Sequence, residues 1–153
     1  MKKENVFALK MDKKLMKLNK NYFIGSVILK EISKTLRLKG HKMYYVVFKN
    51  GAKTKLHYHK AGQTLIATAG KGVLITYTRR GQSKDRLKIK KITKTPLQKG
   101  DVIYIPACML HWHGCIDRRH NFSHIAINSM TSKHKQASTV WFESDFKTFA
   151  EKI

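Results

Sequence analysis

The sequence predicts an all-β fold, a single small barrel or sandwich, and three observations lead there. Apolar and β-branched clusters recur at short intervals, turn-forming residues separate them, and no long stretch carries the 3.6-residue periodicity of a helix. With 153 residues and 42% apolar content, the chain has material for one core rather than two, so residues 1–153 are expected to form one domain with its body over 22–143.

In chain order, strands are expected at 22–29, 43–48, 64–69, 72–78, 102–105, 123–128 and 139–142. The turn signals between them are Lys49-Asn50-Gly51, Ala69-Gly70-Lys71-Gly72, Arg80-Gly81-Gln82 and Lys99-Gly100-Asp101. Residues 145–153 are expected to close the chain as a short helix with Ser144 as its N-cap. Residues 79–99 alternate basic and apolar side chains, the pattern of an exposed strand pair whose lysines also discourage edge-to-edge aggregation. A phosphate-binding arm is the alternative reading of that stretch.

Composition narrows the function classes. Lys and Arg number 32 against 9 Asp and Glu, a formal net charge of +23. The bases are scattered along the chain and aromatic residues do not interleave with them, so the charge reads as a solvated surface with nonspecific anion affinity; a specific nucleic-acid binder is not expected. No window is apolar enough for a membrane span, and the Lys-rich start does not read as a signal peptide. A cytoplasmic protein is expected, with Cys108 and Cys115 reduced. No CxxC pair is present, so any metal must be held by histidine and oxygen ligands.

Four of the eight histidines form two pairs, His57-Tyr58-His59 and His111-Trp112-His113. Residues two apart on a strand point to one face, so each pair can aim both rings at one point, while Trp112 turns away into packing or a dimer contact. One such pair is common on exposed strands, and the bland alternative is one surface pair and one hydrogen-bonded core pair. Gln63 follows His59 across the turn Lys60-Ala61-Gly62, where the next strand can bring an amide oxygen to the same centre. His41, His120 and His134 lie among bases without ligand spacing and read as surface residues.

The spacing Gly51, His57, His59, Gln63, Gly70 resembles the first motif of the cupins, with Gln in place of the usual Glu. Gly100, Pro106, Cys108 and His111 resemble the second, with Cys108 in place of its last Gly. The likeness is greatest to small single-domain cupins with a Gln ligand and an HWHG segment, here residues 111–114, such as cupin hydroxynitrile lyases and cupins related to carboxymuconolactone decarboxylase. The resemblance implies a double-stranded β-helix, or jelly roll, holding one divalent ion on His57, His59, Gln63 and His111. It also implies a homodimer with N-terminal strands in the contact. Manganese is the expected metal, and Fe, Zn, Co and Ni accept the same donors.

Four neutral ligands leave the ion's charge uncompensated, which suits a small, anionic substrate. Beside them, His113 and His124 are candidate acid–base residues. For both, a purely orienting hydrogen bond is the alternative. Thr54, Tyr44 and Val46 occupy positions of pocket residues in the lyase-like relatives. The expected function is therefore a metal-dependent, lyase-like reaction beside a carbonyl or hydroxyl. A cupin dioxygenase, a noncatalytic metal- or ligand-binding cupin and, more remotely, a basic nucleic-acid-associated barrel are the alternatives.

Overall fold

The computed structural model describes residues 1–8, 21–130 and 138–153. Its strands are β1 (Phe23–Ile24), β2 (Val27–Glu31), β3 (His41–Lys49), β4 (Lys53–Thr54), β5 (Leu56–His59), β6 (Gln63–Ala69), β7 (Lys71–Ser83), β8 (Arg86–Gln98), β9 (Val102–Ile105), β10 (Leu110–Cys115), β11 (Asn121–Ser129), β12 (Thr139–Ser144) and β13 (Phe149–Lys152). A single helical turn, α1 (Ile32–Leu36), lies between β2 and β3. One sheet runs β2-β3-β11-β6-β9; the other runs β1-β4-β10-β5-β12-β13-β8-β7 and closes where β7 also pairs with β10. All pairings are antiparallel, and the two sheets form the expected jelly roll.

Strand alternation divides the apolar residues into two cores. Phe48, Leu65, Leu74, Ile105 and Phe122 meet between the sheets. Leu56, Ile75, Leu87, Leu110 and Phe142 pack on the opposite face of the eight-stranded sheet. Each strand that sends a leucine or tyrosine into the second core therefore sends its alternate residues into the barrel, which is how β5 and β10 present their histidines. Trp112 faces the second core, as alternation requires, and its Nε1–H donates to the Tyr77 hydroxyl at 3.0 Å.

Three of the four turn signals sit where expected. At Asn50-Gly51 both residues have positive φ, 51° and 82°, and Ala52 N–H donates to Lys49 C=O at 2.9 Å, a type I′ turn. Arg80-Gly81-Gln82 is the exception. It lies inside β7, where the register slips between Arg79 and Gly81, and the hairpin turns later, at Lys84-Asp85. A glycine amid polar residues signals a bulge as readily as a turn, and here the bulge won because β8 continues pairing past it.

The closing helix expected over 145–153 is absent; β13 stands there instead. Ser144 does cap, accepting from Phe146 N–H at 2.8 Å, but the chain reverses at once. Asp145 accepts from the N–H groups of Lys147, Thr148 and Phe149, and Phe146 takes φ 58°. The Thr148 hydroxyl and these N–H groups hold the Asp145 carboxyl well below the usual carboxylate range. A helix this short is marginal alone, whereas β13 fills the space between β12 and β8 and buries Ala150 completely. The unforeseen α1 buries Ile32 and Ser33 and ends with Arg37 in the left-handed region.

Candidate metal centre

The register sets the site. His57 on β5 is the direct cross-strand partner of His111 on β10, and their rings lie 4.2 Å apart between centroids. His59 lies on the same face of β5, 5.0 Å from His57 and 5.6 Å from His111 between ring centroids. On the facing sheet, Gln63 begins β6 opposite Asn128 of β11. All four side chains are buried.

Hydrogen bonds determine which atoms face inward. The Nδ1 of His57 lies 2.9 Å from Lys55 C=O and that of His111 lies 2.7 Å from Met109 C=O. A carbonyl only accepts, so each Nδ1 carries the proton and each neutral ring turns an Nε2 lone pair into the barrel. His59 Nδ1 is tied to the Thr139 hydroxyl at 2.9 Å. The Gln63 amide donates to Asn128 Oδ1 at 2.7 Å, which leaves its Oε1 free. The Nε2 atoms of His59 and His111 and the Oε1 of Gln63 are buried without a hydrogen-bond partner. Leaving such atoms unpaired costs about 1–3 kcal/mol each, so their gathering at one place marks a binding centre.

Burial keeps these rings neutral. It lowers His57 well below the ordinary imidazole range, helped by the neighbouring histidines, and it lowers His59 to about 3 and His111 to about 4. A neutral imidazole is the form that ligates. Neutral imidazoles and an amide oxygen, each held from behind by a hydrogen bond, are donors of the kind a divalent transition metal takes.

The second histidine of the HWHG segment is closer to this centre than its expected role requires. Among the described residues, the histidine nitrogens that lie within 4.8 Å of one another are those of His57, His111 and His113, a group that takes in His113 and leaves out His59. His113 differs from the other three in its anchoring: its backbone N–H donates to Thr54 Oγ1 at 3.1 Å, but its Nδ1 has no partner. His124 lies 4.9 Å from His113 between ring centroids, with both nitrogens unpartnered. Burial lowers His113 well below the ordinary range and His124 to about 3.

A cavity of about 190 Å³ opens onto this cluster. Thr54, Tyr44, Val46, Gln63, His113 and His124 all line it, and among the described residues no Asp, Glu, Lys or Arg does. Burial pushes the Tyr44 phenol up to about 12, so it stays protonated. Four residues unmarked in the sequence also belong here. Trp141 stacks on His57 at 4.3 Å, Thr139 and Asn128 anchor two donors, and Leu29 walls the cavity. Their only signal was membership of expected strands. His41 and His120 are exposed as expected, and His134 lies outside the described residues.

Cys108 explains its own departure from the second motif. It is exposed, has φ 62°, and donates its N–H to His59 C=O at 2.8 Å, so a left-handed residue is needed where the motif has Gly. Cys108→Gly is expected to raise stability by about 1 kcal/mol in urea unfolding, since a side chain in that region costs about 1–2 kcal/mol. Gly114 has the opposite constraint: a Cβ there would come within 2.5 Å of Lys53 Cα, so the glycine of HWHG lets β4 cross β10.

The family model described as Cupin matches residues 26–150. A cupin-like protein from Thermotoga maritima is 35% identical over 80% of this chain and 80% of its own, with a TM-score of 0.59. Vicilin from Capsicum annuum (13% identity, TM-score 0.61) and an oxalate decarboxylase from Bacillus subtilis with Mn(II) centres (20%, 0.55) each match 76% of this chain. The chain spans only 31% and 28% of those two proteins, and at such identities the likeness is one of fold. No curated protein sequence matches the chain.

Proposed function

The chain belongs to the cupin family, and from that premise we propose that it is a metal-dependent enzyme acting on a small organic molecule, with manganese held by His57, His59, Gln63 and His111. One observation carries the reading: inward-facing donor atoms from three strands, buried and unpaired, each on a side chain fixed from behind. The Mn(II) centres of the Bacillus subtilis oxalate decarboxylase favour manganese among the metals that suit these donors.

The bound ion would supply Lewis acidity, stabilising negative charge that develops on a substrate oxygen. The protein supplies the rest. Thr54 Oγ1 accepts from His113 N–H, so its own hydroxyl hydrogen is free for a substrate oxygen in the cavity. Tyr44 offers a second donor. His113 and His124, neutral and adjacent, hold unpaired nitrogens placed to take the proton of a substrate hydroxyl as the bond from its carbon to the leaving group breaks and the carbonyl forms, and to pass that proton to the leaving anion. Apolar walls from Phe23, Leu29, Val46 and Trp141 exclude water and fit a compact substrate. This arrangement favours a lyase-like step beside a carbonyl or hydroxyl.

The test is metal analysis and turnover together. His113→Ala is expected to keep about one manganese per chain while aldehyde release from an α-hydroxynitrile probe falls by about 10²-fold or more. Loss of metal from this variant would instead make His113 a ligand. Metal-independent turnover by the unaltered protein would overturn the proposal, and oxygen uptake with turnover would move it to the dioxygenases.

A further inference from the structure

A strongly charged part of the surface lies outside that centre. β7 pairs with β10 as far as Tyr77, and beyond it β7 and β8 run on as a ribbon flanked by β13. Between residues 79 and 99 the sequence places nine Lys and Arg against a single acid, Asp85.

The ribbon is shaped as well as charged. Leu87 and Ile89 turn inward and are buried, so Arg86, Lys88 and Lys90 share the outer face in steps of about 6.8 Å along β8. The bulge in β7 inserts Arg80 as an extra residue, and such bulges re-aim side chains and sharpen the twist. Gly81 then stands opposite Lys88, and a Cβ there would meet nothing closer than Lys88 Cδ at 4.0 Å. The absent side chain leaves open a groove of about 860 Å³, lined by Arg80, Gln82, Arg86, Lys88, Lys90 and Phe149. The Arg86 guanidinium lies over the Phe149 ring, its carbon 3.8 Å from the ring centroid. Among the described residues, the ion pairs are Lys42–Glu31, Lys55–Glu143 and His120–Asp117, so no cation of the groove is neutralised by one. Glu151 faces Arg86 in register, which makes Arg80, Lys88 and Lys90 the most available charges.

We propose that this ribbon binds the phosphodiester backbone of single-stranded nucleic acid without reading its sequence. A row of cations at regular steps along an open groove suits a polymer whose charges repeat at a similar spacing. The Arg86–Phe149 cation–π pair lines the groove where a base would come to rest, and Arg and aromatic side chains are the usual companions of such a groove. An anionic membrane is the poorer fit. It calls for several apolar side chains projecting outward beside the bases, whereas the ribbon exposes a single large one, Ile92, and the apolar residues of the groove itself, Ile89 and Phe149, are buried or half-buried.

The test compares two charge-matched triple variants of the full chain by fluorescence anisotropy with labelled oligouridylate across a salt titration. Arg80→Gln/Lys88→Gln/Lys90→Gln removes the groove's charge. Lys3→Gln/Lys34→Gln/Lys39→Gln removes as much from exposed positions elsewhere. The groove triple is expected to bind about tenfold or more weakly, with a salt slope shallower by about 2, since each lost single-strand phosphate contact removes about 0.7. The control triple is expected to bind within about twofold of the unaltered chain. Equal losses in both triples would show that diffuse charge suffices and would overturn the proposal. So would failure of the unaltered chain to bind, or groove-dependent binding to phosphatidylserine vesicles without binding to the oligonucleotide.

Discussion

His57→Ala is expected to abolish metal binding: manganese content after gel filtration falls from about one per chain to background. His57 occupies the middle of the cluster, paired in register with His111 and stacked on Trp141, so its truncation opens a gap at the centre of the proposed ligand set. Stability supplies an independent readout. Metal that binds only the folded state adds about 4 kcal/mol at a thousandfold excess over Kd, so the unaltered protein should melt at a markedly higher temperature with manganese than without. The variant should show no such shift. Because truncating a buried ring could itself impair folding, Gln63→Glu is the companion variant. It replaces a neutral oxygen donor with a charged one on a side chain of the same length and is expected to retain the ion at least as tightly. Retention of metal by His57→Ala, with the fold intact by circular dichroism, would exclude the proposed ligand set.

How much of this centre the sequence revealed follows from how local each signal is. The histidine pairs needed only the two-residue period of a strand, so their shared face was legible before any tertiary information. Gln63 needed only a short turn after His59. The side chains that hold these donors were not legible, because Thr139 meets His59, and Asn128 meets Gln63, through strand register across 80 and 65 residues. Register is fixed by the packing of the whole barrel, which a single strand's sequence does not contain. The two misread segments have a similar cause. Ser144 and Gly81 carry genuine local signals, a cap and a break, but a cap can open a turn as well as a helix, and a glycine can mark a bulge as well as a hairpin. In both places pairing with a distant strand decided the outcome.

Phe48→Ala is expected to lower unfolding free energy by about 3–5 kcal/mol, a large share of the 5–15 kcal/mol typical of a domain. Phe48 is fully buried on β3, at the centre of the core between the sheets. Its ring stacks with Phe122 at 6.2 Å and also meets the two proposed acid–base residues, His113 at 5.7 Å and His124 at 5.5 Å. Truncation therefore removes a surface against which those two imidazoles pack, and the Nδ1 of His113 and the ring nitrogens of His124 have no hydrogen-bond partner to orient them. The histidines of the proposed ligand set are held differently, by the carbonyls of Lys55 and Met109 just before β5 and β10 and by the Thr139 hydroxyl of β12. A milder change separates the two roles. Phe48→Leu should cost only about 1–2 kcal/mol, since it preserves most of the apolar volume, and it should retain manganese while turnover of the probe declines. Urea unfolding, metal analysis and rate measurement on the same preparation distinguish the outcomes. Parallel loss of metal and turnover at unchanged stability would show that Phe48 supports the ligands themselves, and that the separation of metal-holding from proton-moving histidines drawn here is wrong.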